Sequence, residues 1–184
     1  MSRTLIWLRG DLRLADNPLF AFATSPESLL CVFALDEAWL APRPGPETPR
    51  IGPARLRFLW ESLIALRGEL LRRGSDLLVR IGDPAEAVAT LVEAHAIDEI
   101  RVRADPGWDE GQAEAQLSSR LDERVALRRF DTGTLLDETS LPMPLAELPA
   151  SFSAFRRRVE RAGGIPEAAP APVTLPGWPE GAPR

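Results

Sequence analysis

The chain has 184 residues, 22 basic against 27 acidic side chains, a formal net charge of −5, and 45% hydrophobic and 27% charged residues. That composition is ordinary for a globular protein with room for one domain and a sizeable core, and a chain this acidic is a poor stand-alone binder of DNA, which calls for a cationic face. One cysteine, Cys31, and one histidine, His95, exclude a disulfide framework, a thiolate metal cluster and a multi-histidine metal site.

Every basic residue is Arg, so Schiff-base chemistry on lysine is excluded. The longest apolar run, Leu29–Leu35, is far short of a membrane span. No long apolar leader opens the chain, so a cytoplasmic location with no membrane partner is expected.

In chain order, Thr4–Leu8 is a short apolar run rich in strand formers, stopped by the charged turn Arg9-Gly10-Asp11. Asn17-Pro18 places a capping side chain before a proline suited to a first helical turn, which predicts a helix over Pro18–Ala23. Ser28–Leu35 is a second continuous apolar run. Strands apolar on both faces imply a parallel sheet covered by helices on both sides.

Asp36–Gly52 is a long connection in which Pro42, Pro44, Pro46 and Pro49 oppose regular structure. A connection of that length in a compact domain is usually functional or mobile. Pro53–Arg73 carries Leu56, Leu59, Leu63, Leu66 and Leu70 at spacings of three and four, an amphipathic helix ended by Gly74.

Strands are predicted over Asp76–Ile81, Glu99–Arg103 and Val125–Arg129. Helices are predicted from Pro84, capped by Asp83, to His95, and over Asp109–Asp122. The βα beat gives a doubly wound α/β layout with five parallel strands and right-handed crossovers. His95 reads as a residue at a helix C-terminus, favoured by the dipole there. Cys31 reads as core packing.

The body is expected over residues 1–135 and a connector with a short basic helix, Ser151–Ala162, over 136–165. A Pro-rich tail over 166–184, extended or disordered, is expected to add little to the core.

There is no G-x-G-x-x-G after the first strand, no P-loop and no G-x-S-x-G elbow. In open α/β sheets, ligands bind beyond the carboxyl ends of the strands, where strand order reverses. That rule selects Arg9 and Asp11 after the first strand, and Asp36, Glu37, Trp39 and Arg50 after the second. After the fourth it selects Asp105 and Trp108. The two Trp rings offer flat faces for a stacked ring system. Equally open is a bland reading: Arg9 and Asp11 as a structural ion pair, and Trp39 as a cap on the core.

Trp7-Leu8-Arg9-Gly10-Asp11-Leu12-Arg13-Leu14-Ala15-Asp16-Asn17-Pro18-Leu19 resembles the opening signature of the DNA photolyase/cryptochrome family. Three further stretches, 55–63, 73–84 and 148–160, are similar to family segments in the same order. The last of them, Leu148-Pro149-Ala150-Ser151-Phe152-Ser153-Ala154-Phe155-Arg156-Arg157-Arg158-Val159-Glu160, is most like DASH-type cryptochromes.

The resemblance implies a Rossmann-like antenna domain of sheet order 3-2-1-4-5, binding a methenyltetrahydrofolate or deazaflavin chromophore at the residues selected above. It implies FAD only through a helical domain that these residues do not include, supplied for example by a separate chain, with Ser151–Arg161 and the Pro-rich arm as docking elements. Such a chain is expected to be inactive alone in splitting pyrimidine dimers and to bind no DNA directly. Asp105 is the nearest match to an acidic residue that folate-binding relatives carry after the fourth strand. The alternatives are a nucleotide- or small-ligand-binding α/β module with no light-related role, and a relic that folds but binds nothing.

Overall fold

The protein is described here by a computed structural model covering residues 2–42, 45 and 47–183. Pro44 and Pro46 of the long connection lie outside the described residues. Five strands, β1 (Arg3–Leu8), β2 (Ser28–Asp36), β3 (Leu77–Gly82), β4 (Glu99–Arg103) and β5 (Ala126–Phe130), form one all-parallel sheet in the order β3-β2-β1-β4-β5. The helices are α1 (Pro53–Arg72), α2 (Pro84–Ala94), α3 (Trp108–Ser118) and α4 (Phe152–Arg161). The expected sheet and helix order are observed, with boundaries moved by a few residues.

Strand alternation builds two cores. Leu5 and Trp7 of β1 join Leu30 and Val32 of β2 beneath α2 and α3, with Val88, Leu91 and Leu117 above them. Ile6 and Leu8 join Leu29, Cys31, Phe33 and Leu35 on the other face, beneath Leu63, Leu66 and Leu70 of α1. Each such buried leucine contributes about 2 kcal/mol. α1 ends as its sequence indicates: Gly74 takes φ +94°, and the Ser75 amide reaches back to Leu70 O. Cys31 sits at zero exposure, and burial pushes its thiol pKa well up.

Three expectations are corrected. The segment after Asn17 is a single 3-10 turn, Pro18–Phe20, rather than a helix to Ala23. Asn17 caps it as expected, through Oδ1 to the Leu19 amide. Arg101, buried on β4, then takes the Leu19 and Ala21 carbonyls and lies over the Phe22 and Phe130 rings. Those carbonyls are thereby drawn to a cation from the sheet, which favours the extended exit over another helical turn.

The long connection contains a 3-10 turn at Glu37–Trp39, capped by Asp36, and a Pro42–Pro49 bridge closes its neck.

The tail is the third correction. It is extended, but it is fastened to the body rather than loose. Leu175 N donates to Arg73 O, Leu29 N donates to Gly177 O, and Arg73 Nε donates to Pro172 O. Leu175 packs against the α1-side core and Trp178 against the α2-side core. The strap therefore passes from one face of the sheet to the other around the amino-terminal end of β2.

In α4, Val159 is buried and Phe152 is 75% exposed. Arg158 reaches Glu147 O and Met143 Sδ, both in the connector. Among the described residues no helix is long and apolar enough to cross a membrane.

Two outcomes follow from this packing. Trp178→Ala should lower unfolding free energy by about 2 kcal/mol in a urea titration; a loss indistinguishable from zero would show that the strap is not part of the cooperative fold. Cys31 should react with iodoacetamide only at the rate of unfolding, and immediate labelling of the native protein would contradict its burial.

Candidate functional site

A cavity of about 360 Å³ opens at the carboxyl ends of β1 and β2 and reaches across to the loop after β4. β1 lies between β2 and β4, where the strand order reverses, so the cavity stands where the topology places ligands. Its volume is that of a small-molecule site.

Its floor and sides are aromatic and aliphatic: Trp7 and Leu12 from the first strand and turn, Phe33 from β2, Trp39 and Ile51 from the long connection. α1 adds Arg55, Phe58, Leu59 and Ser62. Acidic groups come from Asp36, Asp105, Asp109 and Glu110.

Trp7 and Arg9 form one rigid corner. The Arg9 guanidinium lies 4.1 Å from the Trp7 ring centroid and donates to Glu114 Oε1 at 2.8 Å. Glu114 is buried in α3 and also accepts from Arg129 Nε at 2.6 Å. Across the mouth, Arg50 donates to Asp109 Oδ2 at 2.5 Å, joining the long connection to the start of α3. That bond, with the nearby negative charge, raises the pKa of Arg50. Arg50 and Arg55 each hold their guanidinium 5.9 Å from the Trp39 ring centroid.

Asp105 is held from behind. Arg103 Nε lies 3.4 Å from Asp105 Oδ2, and the Gly107 amide donates to Oδ1. Arg103 runs between Gly10 and Gly133; a Cβ at Gly133 would stand 2.7 Å from its terminal nitrogen. Both glycines make room for this side chain.

Of the residues selected by sequence, Arg9, Asp36, Trp39 and Asp105 line the cavity, and Arg50 bridges its mouth. Asp11, Glu37 and Trp108 lie outside the lining. Asp11 is buried and turned to structural work: it accepts from the Arg9 amide and the Thr132 hydroxyl, tying the turn after β1 to the segment after β5. The Arg9–Asp11 ion pair of the alternative reading is not formed; Arg9 pairs with Glu114 instead. Glu37 points to solvent, and Trp108, at the start of α3, is 76% exposed.

Sequence reasoning missed Arg55, Phe58 and Ser62, although their spacing of three and four marks one helical face. It also missed Glu114, whose partners Arg9 and Arg129 lie elsewhere in the chain, and Arg103, which packs between the sequence-distant Gly10 and Gly133.

Glu114→Ala should cost about 3 kcal/mol of stability, because it leaves the nearly buried Arg9 charge without its carboxylate. Denaturant unfolding checks this; a cost below about 1 kcal/mol would mean that Arg9 finds water or another partner when Glu114 is lost.

Residues 4–174 match the family model described as DNA photolyase. A cryptochrome DASH of Natronomonas pharaonis is 33% identical over 179 residues, covering 96% of this chain and 37% of its own length. A cryptochrome of Synechocystis sp. PCC6803 shares the fold at TM-score 0.85 and 24% identity, over 98% of this chain and 38% of its own. An archaeal photolyase from Sulfolobus tokodaii, solved with two FAD molecules, aligns at TM-score 0.71 and 21% identity, over 96% of this chain and 37% of its own. The chain thus spans a little over a third of the length of these relatives. Since the family model runs through nearly every element from β1 to the strap, the chain belongs to the DNA photolyase family.

Proposed function

We propose that this chain is an antenna-type domain, which holds a planar light-absorbing chromophore at the carboxyl edge of its sheet. The observation that carries this reading is the cavity itself: Trp7, Phe33 and Trp39 supply flat apolar walls, and carboxylates stand at the rim. The residues fit such a group. Trp39 offers a stacking face, Asp36 and Asp105 offer acceptors for ring N–H donors, and the Arg50–Asp109 pair spans the opening. A methenyltetrahydrofolate or a deazaflavin satisfies this description, and a photolyase that shares this fold over part of its length was solved with two FAD molecules.

When bound, such a chromophore supplies absorption in the near-UV or blue, the first event in light-driven repair or signalling. This chain's own residues bind and orient the ring and exclude water from its apolar face. The flavin-bearing helical part belongs, in this reading, to the remaining two-thirds of a full-length relative, whether on another chain or elsewhere on the same one. Leu135, Leu145, Leu148 and Phe152 leave apolar side chains exposed along the connector and the start of α4. An exposed apolar surface of this kind suits a docked helical domain better than open water. The location is taken to be cytoplasmic.

Two experiments test this reading. Titration with methenyltetrahydrofolate or a 5-deazaflavin should show saturable binding that weakens about tenfold in Trp39→Ala; equal binding by parent and variant would remove the site. The chain alone, given free FAD and near-UV light, should leave pyrimidine dimers intact, and their loss would show that it holds a repair centre of its own.

A further inference from the structure

The sheet has two edges, and the chain treats them differently. β5, at one edge, carries Arg128 and Arg129 with more than half of each side chain exposed. Charged residues of this kind keep an open strand from pairing with another chain. β3, at the other edge, reads Leu-Leu-Val-Arg-Ile-Gly, with one arginine and no proline. Its register with β2 runs unbroken from Leu77 to Gly82, and β2 is its one strand partner among the described residues. Ile81 is 65% exposed.

α1 lays a second apolar surface beside this edge. Trp60, Ile64, Arg67 and Leu71 follow one another at spacings of four, three and four, so they share one flank of the helix. Arg67 donates to Asp76, the residue before β3, which sets that flank over the β3 edge. The cavity-lining Arg55, Phe58 and Ser62 stand on another side of the helix. Trp60, Ile64 and Leu71 are each more than half exposed. Strand alternation turns Ile81 to the same side of the sheet as Leu77 and Val79, which is the side of α1. Gly68, one turn after Ile64, lies mid-helix, where glycine weakens a helix relative to alanine. A Cβ there would meet only the tip of Arg72, at 3.7 Å. Packing among the described residues does not call for this glycine, whereas a second helix passing close to α1 does.

We propose that this chain forms a two-fold dimer, in which β3 pairs antiparallel with β3 of a second copy and the two α1 flanks pack across the axis. A register centred on Val79 sets Ile81 of each copy opposite Leu77 of the other and extends both sheets into one. The same axis lays the two α1 helices antiparallel on one face, with Trp60 and Ile64 of one copy running beside Leu71 and Gly68 of the other. The charges suit a second copy. On and beside the flank, Arg57 is paired with Glu61, Arg67 with Asp76 and Arg72 with Glu69. Two copies therefore meet at a balanced surface, without the repulsion that a net charge of −5 sets up elsewhere. The size suits it too. Trp60, Ile64, Leu71 and Ile81 together expose roughly 450 Å² per copy, more than half of the ~800 Å² that a stable interface takes from each partner. The strand edges and the arginine stems supply the rest.

Sedimentation equilibrium of the full chain from about 1 to about 100 μM tests this. The mass should rise with concentration to twice the 20.2 kDa of one chain. Ile64→Asp and Ile81→Arg should each weaken the dimer about tenfold or more, with the far-ultraviolet circular dichroism unchanged, because both side chains are exposed. Gly68→Ala should weaken the dimer while raising the urea midpoint of the monomer, a split that a purely internal role for Gly68 would not give. Phe152→Ala, an exposed aromatic on α4, should leave the dimer as it is. A chain that stays at the monomer mass up to about 100 μM overturns the proposal. So does a dimer that keeps its affinity in both Ile64→Asp and Ile81→Arg.

Discussion

Everything in this molecule depends on β1 being buried on both faces. Its alternate side chains, Leu5 and Trp7 on one side and Ile6 and Leu8 on the other, sit in two separate cores at or near zero exposure. A strand buried in that way cannot slip register without moving apolar groups to the wrong face. It therefore fixes β2 and β4 as neighbours and fixes where the chain leaves the sheet. The cavity is the space left where β1 ends and the flanking connections separate. Trp7 belongs to both: its ring is part of the core, and one of its faces carries Arg9 at the cavity edge.

The two ends of the sheet are organised differently. At the amino end, the strap from residues 166 to 183 fastens itself by backbone hydrogen bonds and by Trp178. At the carboxyl end, side chains set the geometry: Glu114 between Arg9 and Arg129, Arg50 with Asp109, Arg103 between two glycines. Buried pairs such as Arg9–Glu114 resist rearrangement because separating them strands a charge. The exposed Arg50–Asp109 pair is worth little by itself and opens readily, which suits a bridge over an entrance.

Much of the fold was readable in the sequence because β1 and β2 are continuous apolar runs, α1 carries leucines at helical spacing, and α2 carries a clear cap, Asp83 before Pro84. What was not readable depended on partners far along the chain. The turn after Asn17 stays short because of Arg101, more than 80 positions away. The tail looked unstructured because Pro and Ala give no periodicity, while the backbone of residues 169–177 finds acceptors and donors on the body. At the site, the carboxyl-edge rule found Arg9, Asp36, Trp39 and Asp105. It included Asp11 and Trp108 because position along a loop does not reveal which way a side chain turns. It missed Arg55 and Phe58 because α1 was read only by the leucines on its buried face.

The central claim is that this scaffold holds a pigment at the carboxyl edge of its sheet. The most direct measurement is the absorption spectrum of the chain purified from its native host, beyond the tryptophan band. The account predicts a near-UV or blue band that co-purifies with the parent protein and is lost from Trp39→Ala. A folded parent protein with no absorption there, which also fails to acquire any from added pterin or deazaflavin, would contradict it.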